Sequence, residues 1–254
     1  MRFASLASGS RGNALLIEYK QTLVMVDCGV TLKAAEERMR ALGREPRDVT
    51  ALLVTHEHAD HIRGVPAFAR RYRTPVWMTA GTAAGAAVTS MSQLKIFNCS
   101  RPLEIGDLRV EPFTVPHDAR EPSQFAFVAG GRRLGVLSDI GHVTPHVRER
   151  LGLCDAMALE FNHDHDALFN GSYPETVKRR IASSLGHLSN GQAAELVREL
   201  SREDLQWVIA LHLSEANNSR VEVQRALRAA LGASHSAAAY LASQEQASAW
   251  LEIV

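Results

Sequence analysis

Short apolar runs broken by turn residues cover most of the chain. RFASLA (2–7), NALLIEY (13–19) and TLVMVD (22–27) read as strands, and the unbroken LVMV suits a strand buried on both faces. TLKAAEERMRALG (31–43) reads as a helix, with Thr31 as its cap, Ala34, Ala35, Met39 and Leu42 toward one side, and Gly43 near its stop. ALLVT (51–55) is another buried strand. VPAFARRYR looks helical up to the break at Pro75, and VWMT follows as a short strand. Residues 80–92, rich in Ala, Gly and Thr, give no clear period. Then comes a meander, LEIGDLRVEPFTV and SQFAFVAGGRRLGVLSD, with hairpin-turn signals at EIGDL and AGGRR. AMALE (156–160) and WVIALHL (207–213) read as buried strands. YPETVKRRIASSL and NGQAAELVRELS read as helices between them, the second opened by a capping box of Ser189 and Gln192. VEVQRALRAALG is a further amphipathic helix, and SAWLEIV a closing strand. Strands first in a meander and later alternating with helices predict a layered α/β fold, sheets inside and helices outside. A TIM barrel would alternate from the start. With no repeat, low-complexity tract or long linker, one domain spanning 1–254 is expected.

Composition narrows the function classes only a little. The 254 residues carry 28 Lys+Arg against 28 Asp+Glu, so total charge announces neither a nucleic-acid nor a membrane partner, and a local patch would have to supply any such contact. Basic residues do cluster, as Arg70-Arg71-Arg73, Arg132-Arg133 and Lys178-Arg179-Arg180. Such runs are ordinarily solvated faces, but two of them beside a cleft would guide a phosphate backbone. The N-terminal MRFASLASGS shows no signal peptide, and no apolar run is long enough to span a membrane. Cys28, Cys99 and Cys154 are odd in number and far apart, which predicts reduced thiols and a cytoplasmic protein.

The stretch VTHEHADHIRG (54–64) changes the picture. His56 and His58, two apart, share a face in an extended turn, while His58 and His61, three apart, suit the first turn of a helix. The stretch therefore reads as a strand end, a loop and a helix start. Imidazoles with the carboxylate of Asp60 suit zinc and other first-row metals better than calcium or magnesium. More candidate ligands follow later strands: His117 in FTVPHDA, Asp139 in GVLSDIG and His212 in VIALHLS. A lone His or Asp at such a place is usually a surface or capping residue. Three at strand ends point to convergence on one edge of a layered sheet.

HxHxDH with a later His, Asp and His resembles the metallo-β-lactamase superfamily, over nearly the whole chain. That resemblance implies an αββα sandwich, two mixed sheets inside and helices outside. It implies two divalent metal ions, zinc or manganese, one on His56, His58 and His117, the other on Asp60, His61 and His212, with Asp139 bridging. Asp27, in VMVDCG, would brace the metal loop without binding metal. Such a metal pair activates a shared water as hydroxide and polarises the oxygen under attack.

The same metals hydrolyse lactams, lactones, thioesters and phosphodiesters, so the substrate has to come from other residues. SLASGSRGN, EFNHDHDALFNGSYP, LGHLSN and LHLSEANN together resemble the YycJ/WalJ type within that superfamily, related to the RNase Z and RNase J nucleases. This implies a nucleic-acid substrate, DNA favoured, and 5′-to-3′ exonuclease action. In the Gly-Ser loop, Ser8, Ser10, Arg11 and Asn13 could meet a phosphate, or the loop could be a plain tight turn. His187, Ser189 and Asn190 lead into a helix N-terminus that favours an anion, and Ser189 also caps that helix. Asn162 and His163 follow AMALE, and His163 reads as a site residue, whereas His165 and Asp166 read as surface. His142, His146 and His235 take the ordinary surface reading, and Cys28 that of a small core residue. The expected catalytic groups are Asp60, which orients the attacking hydroxide, and His187 or His163 at the leaving group. The rivals are a thioester or lactone hydrolase of the same fold, an RNA-directed nuclease, and a metal-holding scaffold.

Overall fold

A computed structural model describes residues 1–232 and 236–254, so His235 lies outside the described residues. The described chain divides into two compact units. The first holds Met1–Thr114, Ala119–Arg132 and Ser243–Val254; the second holds Val115–Asp118 and Arg133–Ala242.

The first unit is built on a seven-stranded mixed sheet. Its strands are β1 (Arg2–Ala7), β2 (Ala14–Tyr19), β3 (Thr22–Val26), β4 (Ala51–Leu53), β5 (Val76–Met78), β6 (Leu94–Ile96) and, at the end of the chain, β14 (Leu251–Glu252). The order is β14-β1-β2-β3-β4-β5-β6. The pairs from β14 to β3 are antiparallel, and those from β3 to β6 are parallel. Parallel strands need crossovers, and α1 (Leu32–Ala41), α2 (Ala59–Ile62), α3 (Val65–Tyr72) and α4 (Ala80–Gly85) supply them. The side chains of Thr31 and Thr79 accept the amides of Ala34 and Thr82, which fixes the starts of α1 and α4. Met25, Leu52, Phe68 and Val76 lie in the core cluster under these helices. The meander forms an antiparallel trio in the same unit: β7 (Leu103–Ile105), β8 (Leu108–Thr114) and β9 (Ser123–Ala129). Gly106, Gly130 and Gly131 all have positive φ, as the two expected hairpin turns require.

The second unit carries four parallel strands in the order β10 (Arg132–Leu137), β11 (Ala156–Glu160), β12 (Trp207–Leu211) and β13 (Ala238–Leu241). Its helices are α5 (Pro145–Leu151), α6 (His165–Asn170), α7 (Glu175–Ile181), α8 (Asn190–Leu200) and α9 (Arg220–Leu231). The reciprocal capping box of Ser189 and Gln192 opens α8 as expected. The sequence reading passes over β6, β13, α5 and α6, which are short and exposed enough to lack a clear hydrophobic period. It also runs the helix of 173–185 too far. The segment leaves the helix after Ile181, and Gly186 then passes so close to the helix carbonyls that an added Cβ would lie 2.2 Å from the Ile181 oxygen.

Among the described residues, no helix is long and apolar enough to cross a membrane.

Candidate metal centre

In each unit the metal-binding residue types gather just past the carboxyl ends of parallel strands. In the first unit β3 ends at Val26 and β4 at Leu53, paired in register. Asp27 then turns out of the sheet at φ 59°. Its Oδ1 accepts the Thr55 amide at 2.8 Å, and its Oδ2 accepts the Thr55 hydroxyl and faces His61 Nδ1, both at 2.8 Å. Burial pushes the Asp27 carboxyl up from its ordinary range, against the pull of His61 and the Thr55 donors. A Nδ1–H donated to Asp27 leaves Nε2 of His61 as the nitrogen with the lone pair. Asp27 thus holds the loop through Thr55 and orients the His61 ring.

The loop is the strand end, turn and helix start read from the spacing. His56 stands with its ring centre 4.5 Å from that of His58 and 4.2 Å from that of His61. Asp60, in the first turn of α2, puts Oδ2 3.4 Å from His61 Nε2. Asn13 reaches the same place: its Nδ2 lies 3.3 Å from Asp60 Oδ2 and 3.2 Å from His61 Nε2, and its amide donates to the Asp60 carbonyl at 2.8 Å. The backbone of Gly29 passes so close that a Cβ there would sit 1.6 Å from the Asp60 carbonyl oxygen, so only glycine lets the loop dock. Cys28 beside it is fully buried, and burial pushes its thiol up to about 12, which makes it an inert core residue.

In the second unit β10, β11 and β12 deliver Asp139, Glu160 and His212. The parallel register aligns Leu137 with Leu159 and Glu160 with Leu211, so the three groups emerge side by side. Asp139 and His212 both sit at φ 52°. A left-handed conformation at a residue other than glycine costs about 1–3 kcal/mol and persists where surrounding structure enforces it. Asp139 Oδ2 accepts the Ser138 hydroxyl at 2.6 Å and lies 3.1 Å from His212 Nδ1. His117 comes from the 115–118 segment. Its Nδ1 meets the Gly186 carbonyl at 3.1 Å, which makes Nδ1 the protonated nitrogen and turns Nε2 toward Asp139, 3.9 Å from Oδ1. One ligand atom from each of Asp139, Glu160, His187 and His212 lies within 4.8 Å of the others.

Glu160 is the residue the sequence reading missed, although it closes the quoted strand AMALE. It is wholly buried. Its Oε1 lies 2.7 Å from His187 Nδ1, and its Oε2 accepts the amides of Ile140 at 3.2 Å and Leu188 at 3.1 Å. Burial alone would raise its pKa, but His187 and His212 hold it down at about 2. The same pairing raises His187 above the ordinary histidine range in spite of burial. A carboxylate facing four donors, His187, His212 and the two amides, suits orientation of His187 rather than metal ligation. A charged acid ending an apolar strand was the available signal.

The remaining expected residues divide. His163 is buried and its Nδ1 has no partner; burial lowers its pKa to about 4. Asn162 gives its side-chain amide to the His212 carbonyl, and Asn190 pairs side chain to side chain with Asn218. Both hold backbone and loop in place. Ser189 caps α8. Ser8 bonds Asn13 Oδ1, which also accepts the Gly9 amide, while Ser10 and Arg11 are exposed. His165 and Asp166 are exposed surface residues. Of the basic runs, Lys178 is buried with its ammonium on the Phe169 carbonyl, and Arg180 pairs with Asp118 at 2.6 Å.

The donor sets, imidazole with carboxylate and nearly all of it buried, are the chemistry of a divalent first-row metal. A family model described as Beta-lactamase superfamily domain matches residues 22–212. The chain belongs to that superfamily of metal-dependent hydrolases. Within it, Exodeoxyribonuclease YycJ of Bacillus anthracis is 35% identical over 226 residues, 87% of this chain and 85% of that protein. Exodeoxyribonuclease WalJ of Streptococcus pneumoniae serotype 2 (strain D39) is 34% identical over 224 residues, 85% of this chain and 83% of that protein. The chain is thus a member of the YycJ/WalJ group. The metallo-β-lactamase fold protein YhfI of Bacillus subtilis superposes with a TM-score of 0.74 at 13% identity, over 97% of this chain and 98% of its own. That likeness shows the fold, the metallo-β-lactamase arrangement of mixed sheets flanked by helices expected from the sequence.

Proposed function

We propose that this protein is a metal-dependent phosphodiesterase that degrades DNA as a 5′-to-3′ exonuclease. The observation that carries the reading is the identity of 35% with a protein named an exodeoxyribonuclease, running through 87% of the chain. Two divalent ions, zinc or manganese, are part of this reading: His56, His58 and His117 would hold the first, Asp60, His61 and His212 the second, and Asp139 would serve both. Asp27, Thr55 and Gly186 support this assignment, because their contacts set the protonated nitrogens of His61 and His117.

When bound, the ions supply Lewis acidity at the phosphate and lower the pKa of an attacking water. The chain's own residues do the rest. Asp60 orients the water. His187, whose pKa Glu160 raises, donates a proton to the leaving oxygen, a role that suits it better than His163, whose pKa burial lowers to about 4 in spite of Glu160 and Asp164. Ser8 and Asn13 shape the phosphate-facing loop, and Asn162, Ser189 and Asn190 fix the segment that carries His187. The three free cysteines fit a cytoplasmic setting.

The test is a purified protein loaded with Mn²⁺ or Zn²⁺ and given end-labelled DNA and RNA, single-stranded and duplex. Release of nucleotides from the 5′ end of DNA is the expected result. Cleavage of RNA alone would assign the RNA-directed rival. Turnover of a glutathione thioester with no cleavage of either nucleic acid would assign the thioester hydrolase.

A further inference from the structure

A cavity of about 540 Å³ opens in the first unit beside Asp60. Small-ligand sites span about 300–1,000 Å³, so the cavity is large enough for a nucleotide unit and not merely for an ion. Arg11, Arg38 and Arg63 stand in its wall, with Val30 and Ala34 as apolar surface between them. Two of the three guanidiniums are held in place by backbone. Arg38 donates to the Leu6 carbonyl at 3.1 Å, and Arg63 donates through Nε and a terminal nitrogen to the Gly29 carbonyl at 3.0 and 2.7 Å. A carbonyl orients a guanidinium without neutralising it.

The negative groups in the wall are Asp60 and Glu245. Asp60 belongs to the metal-ligand set assigned above. Glu245 forms an ion pair with Arg11, and both act electrostatically on Arg38. The Glu245 side chain is 64% exposed. Exposed ion pairs contribute little, so an anion with better geometry can displace this carboxylate. A phosphodiester, whose two non-bridging oxygens match the guanidinium fork, is such an anion.

We propose that this cavity is a nucleotide subsite: Arg38 and Arg63 hold a non-scissile phosphodiester of the bound strand, and Glu245 is the counter-charge that the phosphodiester displaces from Arg11. The subsite rests on the nuclease reading above and adds a substrate longer than the cleaved bond. It also explains how a chain of zero net charge recruits a polyanion, through a local concentration of arginine beside the metal ligands.

The test measures binding of a single-stranded, phosphorothioate-linked DNA that resists cutting. It uses metal-loaded protein, fluorescence anisotropy and a series of salt concentrations, with 5′-phosphorylated and 5′-hydroxyl strands. Arg38→Gln is expected to raise Kd about tenfold and to flatten the log–log salt slope by about 0.7, the share of one phosphate contact on a single strand. Glu245→Gln is expected to do the opposite, lowering Kd about threefold at low salt. Its exposed side chain makes it a second probe that does not depend on the fold surviving the loss of Arg38. Kd and slope unchanged in both variants, with the wild type still binding and cutting DNA, would overturn the subsite alone. Failure of the wild type to bind or cut any nucleic acid would overturn the nuclease reading and the subsite together. An Arg38→Gln effect confined to 5′-phosphorylated strands would overturn the phosphodiester assignment in favour of a terminal phosphate.

Discussion

The two units bring metal-binding residues together by different routes. In the first, His56, His58, Asp60 and His61 come from one loop between β4 and α2, and Asp27 holds that loop through Thr55 and His61. In the second, Asp139, Glu160 and His212 follow three parallel strands whose register sets them side by side, and His117 and His187 reach them from two other segments. The first cluster is braced by a carboxylate that burial pushes toward neutrality, the second by a carboxylate kept charged by His187. A single loop can be steadied locally. Groups on separate strands need the whole sheet, and the positive φ at Asp139 and His212 is the strain of aiming them.

That contrast can be broken by removing one member of each set. Asp139→Ala should be the most damaging change, since that carboxylate is assigned to both ions. Metal content measured by mass spectrometry should fall from two ions to one or none, with activity down by at least about 10³-fold. Retention of both ions would end the bridging role. Glu160→Gln should leave metal content unchanged but lower kcat by about 10²–10³-fold with little change in KM, the range of a positioned general acid. His187→Asn should match it, and the double variant should be no worse than either alone. Additive losses would separate the pair.

Asp27→Asn sharpens the comparison from the other side. It touches only the first cluster, and metal affinity read by competition with a chelator should drop by about 10–100-fold, the usual cost of losing a ligand's hydrogen-bond partner. The smallest effect is expected away from both clusters, at Glu18. Burial raises its pKa, but Arg44 and Arg2 hold it below the ordinary range. A depressed folded-state pKa stabilises above the unfolded value and is lost as pH falls through the folded one. Glu18→Gln should therefore cost about 1 kcal/mol of stability at pH 7, and less below pH 4, in denaturant titrations, with kcat unchanged. An equal cost at both pH values would remove charge as the cause.

Hydrophobic period and turn chemistry made the long elements legible, down to the capping box of Ser189 and Gln192 and the glycine hairpins. They did not reveal β6, β13 or α6, whose few residues are ordered by neighbours rather than by their own pattern. The loop of 56–61 was legible because its metal-binding residue types are local, so spacing alone implies a shared face. The part of Asn162 and Asn190 was not. Their residue types suit a phosphate as well as a backbone, and only the packed loops show that Asn162 holds the His212 carbonyl while Asn190 pairs with Asn218.

By itself, then, the sequence determined the superfamily, the metal-binding residue types and the strand ends on which they sit, because these are properties of short segments. Tertiary structure decided that Glu160 belongs to His187, that Asp27 sets the proton on His61, and that Arg38, Arg63 and Glu245 face one cavity. Those pairings join residues distant in the chain. No local pattern encodes them, since a buried charge finds its partner only when the strands and helices that carry both have packed.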